Sequence, residues 1–267
     1  MSGTRELLTF AEDLAREAGA QARAAAVVRA EATTKSSAAD WVTPVDRAVE
    51  DRIREAILRR YPDHAVIGEE HASVGDPESA EVVWHVDPID GTTNFLYGLG
   101  NVSVSIAALQ RDGVDVGVVH DVYRDQSISA ARGDGVRIDG SPVVSEPIAS
   151  LTGAVLLTEW SGHQAWPGME ETLGWVRDQA GAVRIIGSCA LALAHAGLGR
   201  AAATILPGRY NSWDVAAGLV IAAEGGLRIY GTQGPADGVP ADGVLAAAPP
   251  VAEPLWSAWR DAAAALA

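Results

Sequence analysis

Apolar residues recur at helical spacing near the start of the chain. Leu7, Ala11, Leu14, Ala15 and Ala18 share one face, which predicts a helix over about residues 4–28. The polar run 31–40 interrupts that pattern. A second helix follows Pro44, where Val45, Val49, Ile53 and Ile57 repeat every four residues until Tyr61-Pro62 stops them. A short strand over 64–67 runs into Gly68-Glu69-Glu70. Val82, Trp84 and Val86 then alternate, the pattern of a half-buried strand that delivers Asp87 to its C-terminal edge. Pro88 should end that strand and disfavours a helical conformation at Asp87.

From 102 onward the pattern is β. Strands over 102–109, 114–122 and 127–131 are joined by turns at Asp112-Gly113 and Arg124-Asp125. After about 150, strands and helices alternate. Residues 154–157, 183–186, 202–206 and 227–230 read as strands, with helices starting at Met169, Ser188 and Trp213 and a last one over 256–266. There is neither an internal repeat nor a linker. The expected architecture is therefore α and β in layers, with halves 1–150 and 151–267 forming one compact unit and a site between them.

At 267 residues the chain can bury a large core. No apolar run is long enough to span a bilayer, and residues 1–6 lack the basic-then-apolar layout of a signal peptide, so no membrane partner is expected. The single cysteine, Cys189, excludes an internal disulfide and a thiolate zinc site and fits a reducing, cytoplasmic setting. A formal charge of −15 argues against a nucleic-acid partner, which needs a basic face. It would also repel an anionic substrate unless cations are bound at the site.

Asp87-Pro-Ile-Asp-Gly-Thr-Thr-Asn-Phe95 concentrates the candidate chemistry. Its two carboxylates and the Ile89 carbonyl can converge on a small cation, and hard oxygen donors suit magnesium. Gly91 leaves room for a phosphate, and the Gly91 and Thr92 N–H groups are donors to it if a helix starts there. A plain Asp-Gly turn explains neither the second Asp nor the paired threonines. A haloacid-dehalogenase nucleophile loop needs its aspartates one residue apart, and Asp87 and Asp90 have two between them. Further carboxylates at element ends are Glu69, Asp46 and Asp214. Asp46 and Asp214 are also residues that capping favours at a helix start, Glu69-Glu70 also reads as a solvated pair, and Lys35 as a surface charge.

Taken together, the chain resembles the inositol monophosphatase family of magnesium-dependent, lithium-sensitive phosphatases. The resemblance lies in Lys35-Ser-Ser, Asp40-Trp-Val-Thr-Pro-Val-Asp46, Gly68-Glu69-Glu70, Asp87 to Phe95 and Trp213-Asp214-Val-Ala-Ala-Gly218. It implies a layered αβαβα sandwich, a homodimer, and two to three magnesium ions per site. By that resemblance Glu69, Asp87 and the Ile89 carbonyl hold one ion, Asp87, Asp90 and Asp214 a second, and Glu69 shares a looser third. Asp46, Glu69 and Thr92 position and deprotonate the attacking water, the Gly91 and Thr92 N–H groups bind phosphate, and Lys35 assists. No histidine or cysteine nucleophile is required, and His85 reads as structural, because magnesium prefers oxygen.

Inositol-handling members carry an acidic residue several positions before the Trp-Asp pair, and this chain has Leu206 and Pro207 there. The expected substrate is a small phosphate monoester, with inositol, sugar, polyol, histidinol and nucleoside phosphates all open. Arg209, Tyr210 and Asn211 either contact the leaving group or form an ordinary loop. Gly187, Ser188 and Cys189 resemble the family's substrate-facing turn, with Cys189 as a small packing residue. In Trp160-Ser-Gly-His-Gln-Ala-Trp166 the two indoles and the His163 imidazole either stack on a planar ring or, as the commoner role, pack in the core. A non-catalytic regulatory relative is the alternative class.

Overall fold

The computed structural model describes residues 2–25, 31–35, 37, 40–111, 115–146, 148–161, 164–208 and 210–265. The two expected N-terminal helices are α1 (Ser2–Ala24) and α2 (Pro44–Arg60). Residues 26–28, the end of the expected first helix, fall outside the described residues. α2 begins where its residues dictate: extended Thr43 accepts the Val45 N–H on its hydroxyl at 3.1 Å, and Pro44 occupies a first-turn position that needs no N–H. The polar run between the helices returns as a small antiparallel pair, β1 (Thr33–Thr34) with β2 (Trp41–Val42).

The first sheet contains, in spatial and chain order, β3 (Ala65–Gly68), β4 (Val82–Asp90), β5 (Ser103–Gln110), β6 (Val116–Asp121), β7 (Gln126–Ala131), β8 (Gly135–Ile138) and β9 (Ser141–Pro142). β3 and β4 are parallel and every other pair is antiparallel. The short α3 (Thr92–Tyr97) leads from β4 toward β5. β8 and β9 were not foreseen, and the expected Asp112-Gly113 turn falls outside the described residues.

The second sheet is built from β10 (Val155–Thr158), β11 (Ala182–Ile185), β12 (Ala203–Leu206), β13 (Arg228–Gly231), β14 (Gly234–Pro235) and β15 (Val244–Ala247), in the order β11-β10-β12-β15-β13-β14. β11, β10 and β12 are parallel, and the remaining pairs are antiparallel. Its helices are α4 (Met169–Asp178), α5 (Cys189–Gly197), α6 (Ser212–Glu224) and α7 (Pro249–Ala264). α7 starts earlier than the expected 256, because Pro249 and Pro250 open a helix without needing N–H partners. β15 was missed, since Val-Leu-Ala-Ala is too short and too alanine-rich to show a period.

Five layers result, an αβαβα sandwich. α1 and α2 cover one face of the first sheet, α5 and α6 lie between the sheets, and α4 and α7 cover the far face of the second. This burial corrects two expectations for β4. The strand is not half-buried: every residue but Val83 is buried, because helices cover both faces. Nor does it stop at Pro88; its register against β5 shifts between Asp87 and Asp90, and that bulge accommodates a residue with no N–H to give.

The middle layer is tightly built. A Cβ on Gly218 of α6 would lie 2.5 Å from the Leu193 Cβ of α5, so only glycine permits the approach. Leu193 is itself fully buried against Leu206, Val215 and Leu219. Leu193→Ala is expected to lower unfolding free energy by about 2–5 kcal/mol, read by urea denaturation. A loss below about 1 kcal/mol would show that the middle layer repacks freely.

Candidate active site

Parallel strands present their C-terminal ends at one edge, and both sheets use that edge here. In the first sheet Glu69 follows β3, and Asp87 and Asp90 end β4. In the second, Glu159 follows β10, Ile186 and Gly187 follow β11, and Tyr210 and Asn211 lie beyond β12. Asp46 and Asp214 come from the first turns of α2 and α6. Between them is a cavity of about 480 Å³ lined by Glu69, Asp90, Gly91, Thr92, Glu159, Trp160, Gly187, Cys189, Tyr210, Asn211 and Asp214. A larger cavity of about 550 Å³ is bordered by Leu219, Val220, Leu227 and Ile229, away from these acids, and the chemistry belongs to the first.

Asp46 is both a cap and a site residue, so the two accounts of it coincide. Its Oδ2 accepts the Thr43 N–H at 2.9 Å and the Thr43 hydroxyl at 2.5 Å, while Oδ1 lies 3.2 Å from the Thr92 hydroxyl. Thr92 Oγ1 also lies 3.0 Å from the Ile89 carbonyl. α3 does start at Thr92, with Gly91 before it at φ +93°. Lys35 is exposed but paired: its Nζ donates to Glu69 Oε1 at 2.8 Å and to Glu70 Oε1 at 2.5 Å. The Glu70 side chain is 2% exposed, so the glutamates are not a solvated pair.

The remaining acids are each fixed by protein donors. Asp87 Oδ1 accepts the Ile89 N–H at 3.0 Å. Asp90 accepts the Ser103 hydroxyl at 3.1 Å, the Ser188 hydroxyl, the Cys189 N–H at 3.2 Å and the Ala190 N–H at 2.9 Å. Asp214 closes a capping box with Asn211, whose N–H it accepts at 2.8 Å.

Burial and crowding of like charge set the electrostatics. Burial, then the charges of Glu69, Asp90 and Asp214, hold the Asp87 carboxyl well above the usual range. Burial raises Asp90 to about 6 against its hydrogen bonds, and raises Asp214 to about 7 with help from Glu69 and Asp90. It also raises Asp46, although Thr43 opposes the shift. Burial alone would lower the Lys35 ammonium, but its two glutamates hold it above the ordinary lysine value. Among the described residues no three His, Cys, Asp or Glu side chains enclose a common point as they stand. Asp46, Asp87, Asp90 and Asp214 each accept hydrogen bonds from protein donors. The donor set itself, hard carboxylate oxygens, fits a divalent cation such as magnesium.

Of the other expected residues, Gly187, Cys189, Tyr210 and Asn211 line the cavity and Ser188 bonds Asp90 behind it. Burial, then the charge of Asp90, raises the Cys189 thiol well above its usual value, as suits packing rather than nucleophilic attack. Arg209 and His163 fall outside the described residues. The two indoles divide: Trp166 is buried in the core, and Trp160 is 48% exposed at the cavity. Leu206 is buried at the end of β12, so that position offers the cavity no acceptor. His85 is structural as expected; burial lowers it to about 4, and its Nδ1 lies 2.7 Å from Ser212 Oγ at the start of α6.

Sequence reasoning missed two buried acids. Glu50, fully buried on α2, accepts the Glu70 N–H at 2.7 Å and the His71 N–H at 3.1 Å, which fixes the turn carrying Glu69. Its helical position gave no sign of that. Glu159 accepts the Ile186 and Gly187 N–H groups at 3.0 and 2.8 Å. A signal did exist for it, since it follows an apolar strand just as Glu69 does.

Known proteins resemble this chain in sequence and fold. The profile of the inositol monophosphatase family matches residues 4–265. Nus factor SuhB of Pasteurella multocida is 34% identical over 225 residues, 84% of either chain. Inositol monophosphatase 1 of Sus scrofa is 32% identical over 244 residues, 87% of this chain and 86% of that protein. Among solved structures, an IMPase of Thermotoga maritima superposes with a TM-score of 0.88 at 26% identity, covering 98% of this chain and all of that one (100%). SuhB of Mycobacterium tuberculosis gives 0.75 at 34% identity over 96% of both. Sequence and fold agree that the chain belongs to the inositol monophosphatase family.

Proposed function

We propose that the chain is a magnesium-dependent phosphomonoesterase for a small phosphate monoester. The observation that carries this reading is the meeting of Glu69, Asp87, Asp90 and Asp214 beside the Thr92–Asp46 pair. Glu69, Asp87 and the Ile89 carbonyl would hold one ion, Asp87, Asp90 and Asp214 a second, and Glu69 a share of a third. Such ions offset phosphoryl charge and acidify water.

The chain's own groups do the rest. Thr92, with its hydroxyl hydrogen directed to Asp46 or Ile89, offers an oxygen lone pair that orients the attacking water. Asp46, raised by burial, is a stronger base than an exposed aspartate and takes up the proton together with Glu69. The Gly91 and Thr92 N–H groups face the phosphate, and Lys35 assists by holding Glu69. The alcohol then sits against Gly187, Cys189, Tyr210 and Asn211, with Trp160 at its edge. A cavity of about 480 Å³ suits a small molecule. With Leu206 buried, a sugar, polyol, histidinol or nucleoside phosphate stands beside inositol phosphate as substrate. A homodimer and a reducing, cytoplasmic setting complete the proposal; among the described residues no helix is long and apolar enough to cross a membrane.

Relatives named Nus factors favour a second reading, a regulatory protein that keeps the fold without turnover. Phosphate release from a panel of inositol, histidinol, sugar and nucleoside phosphates, with and without magnesium, separates the two. Magnesium-dependent release from a preferred ester is expected; no release from any would favour regulation. Asp90→Asn should abolish turnover with the fold intact, and Asp46→Asn should slow it about 10²–10⁴-fold. Full activity in Asp90→Asn would refute the assignment.

The raised carboxyls also set a pH dependence. In the unfolded chain such groups titrate near pH 4, and in the fold Asp90 and Asp214 titrate at about 6 and 7. Their contribution to stability is therefore full below about pH 4 and lost as pH rises through 6 to 7 in metal-free protein. Magnesium pairs with the ionised forms, so it should raise Tm more at pH 8 than at pH 5. Calorimetry showing an equal or larger rise at pH 5 would contradict the assigned ligands.

A further inference from the structure

Where the two halves meet, one peptide is gripped from both sides. On one side the Glu159 carboxylate, through Oε1, accepts the Ile186 N–H at 3.0 Å and the Gly187 N–H at 2.8 Å. On the other, Asn94 Nδ2 lies 2.8 Å from the Ile186 carbonyl and 2.9 Å from the Asn101 carbonyl. Glu159 directly follows β10 of the second sheet and Asn94 lies in α3 beside the first, so the grip spans the halves. Space is as tight as the bonding. A Cβ on Gly187 would lie 2.7 Å from Asn94 Nδ2, and a Cβ on Gly91 would lie 2.8 Å from the Gly187 carbonyl. Both glycines also have positive φ, +77° and +93°.

The gripped peptide leads directly into donors for Asp90. The Ser188 hydroxyl and the Cys189 and Ala190 N–H groups all reach that carboxylate. We propose that Glu159 and Asn94 are positioning residues, a two-sided clamp on the Ile186–Gly187 peptide that sets the place of Asp90. The effect on metal binding rests on the reading of Asp90 as a ligand; the clamp itself does not. Glu159 acts here as an acceptor for two N–H groups, so a neutral amide with the same oxygen serves as well. Outer groups that hold a metal's ligands commonly influence affinity about 10–100-fold.

The test uses the full chain as wild type, Glu159→Ala, Glu159→Gln and Asn94→Ala. Amide hydrogen exchange at Gly187, Cys189 and Ala190 reports the clamp without metal, and calorimetric titration with magnesium alone reports its consequence. Phosphate release from p-nitrophenyl phosphate and glycerol 2-phosphate adds the dependence on the alcohol. In both alanine variants exchange should quicken at least about tenfold and magnesium affinity fall about 10–100-fold. kcat should fall by one factor for both alcohols, and Glu159→Gln should keep protection and affinity. Unchanged exchange in the alanine variants overturns the proposal. So does Glu159→Gln as impaired as Glu159→Ala, or a loss confined to KM for one alcohol, which would make Glu159 a substrate contact. Should Glu159→Ala not fold, Asn94→Ala and Glu159→Gln carry the same comparison. Wild type that binds no magnesium would remove the phosphatase reading, and exchange would still decide the clamp.

Discussion

Carboxylates of like charge held in a small buried space repel one another, and the rest of this site is arranged around that repulsion. Asp87 and Asp90 are both buried, with Glu69 and Asp214 close enough to raise the Asp87 carboxyl. The fold answers with oriented donors. Asp46 and Asp214 each close a capping box in the first turn of a helix, and Asp90 takes two N–H groups from the start of a third. Three helix N-termini, those of α2, α6 and α5, thus bring partial positive charge to acids of one site. Lys35 adds a full positive charge at Glu69 and Glu70.

Those helix ends must stay in place against the force they oppose. α6 is held at its N-terminus by His85, close to Ser212, and by Ser105, whose hydroxyl lies 3.3 Å from the Trp213 carbonyl. Along its length it is packed on the first sheet and against α5. α5 in turn is capped by Ser188, the residue that also bonds Asp90. The central helices therefore serve as core and as electrostatic support at once, which ties the stability of the middle layer to the geometry of the acids.

Much of this was legible in the chain. The periods of α1 and α2, the β pattern from 102 and the alternation after 150 gave the main elements, because each depends on residues near in sequence. Where the reading failed, distant parts intervened. β4 reads as half-buried from its alternation, but its second face is closed by α6, which lies more than a hundred residues later. Pro88 reads as a stop, yet the neighbouring β5 carries the strand on through a bulge.

The sequence by itself determined the kind of chemistry: acids beside glycine and threonine at strand and helix ends, with donor types suited to a hard cation and a phosphate. Those are properties of residue type and local spacing. Only the tertiary structure decided which further groups serve them. Glu50 reaches the Glu69 turn from another element, Glu159 and Asn94 meet on a peptide about ninety positions from Asn94, and Leu206 is withdrawn into the core. Such pairings are set by how strands and helices are layered, and no local pattern encodes which two ends will face each other.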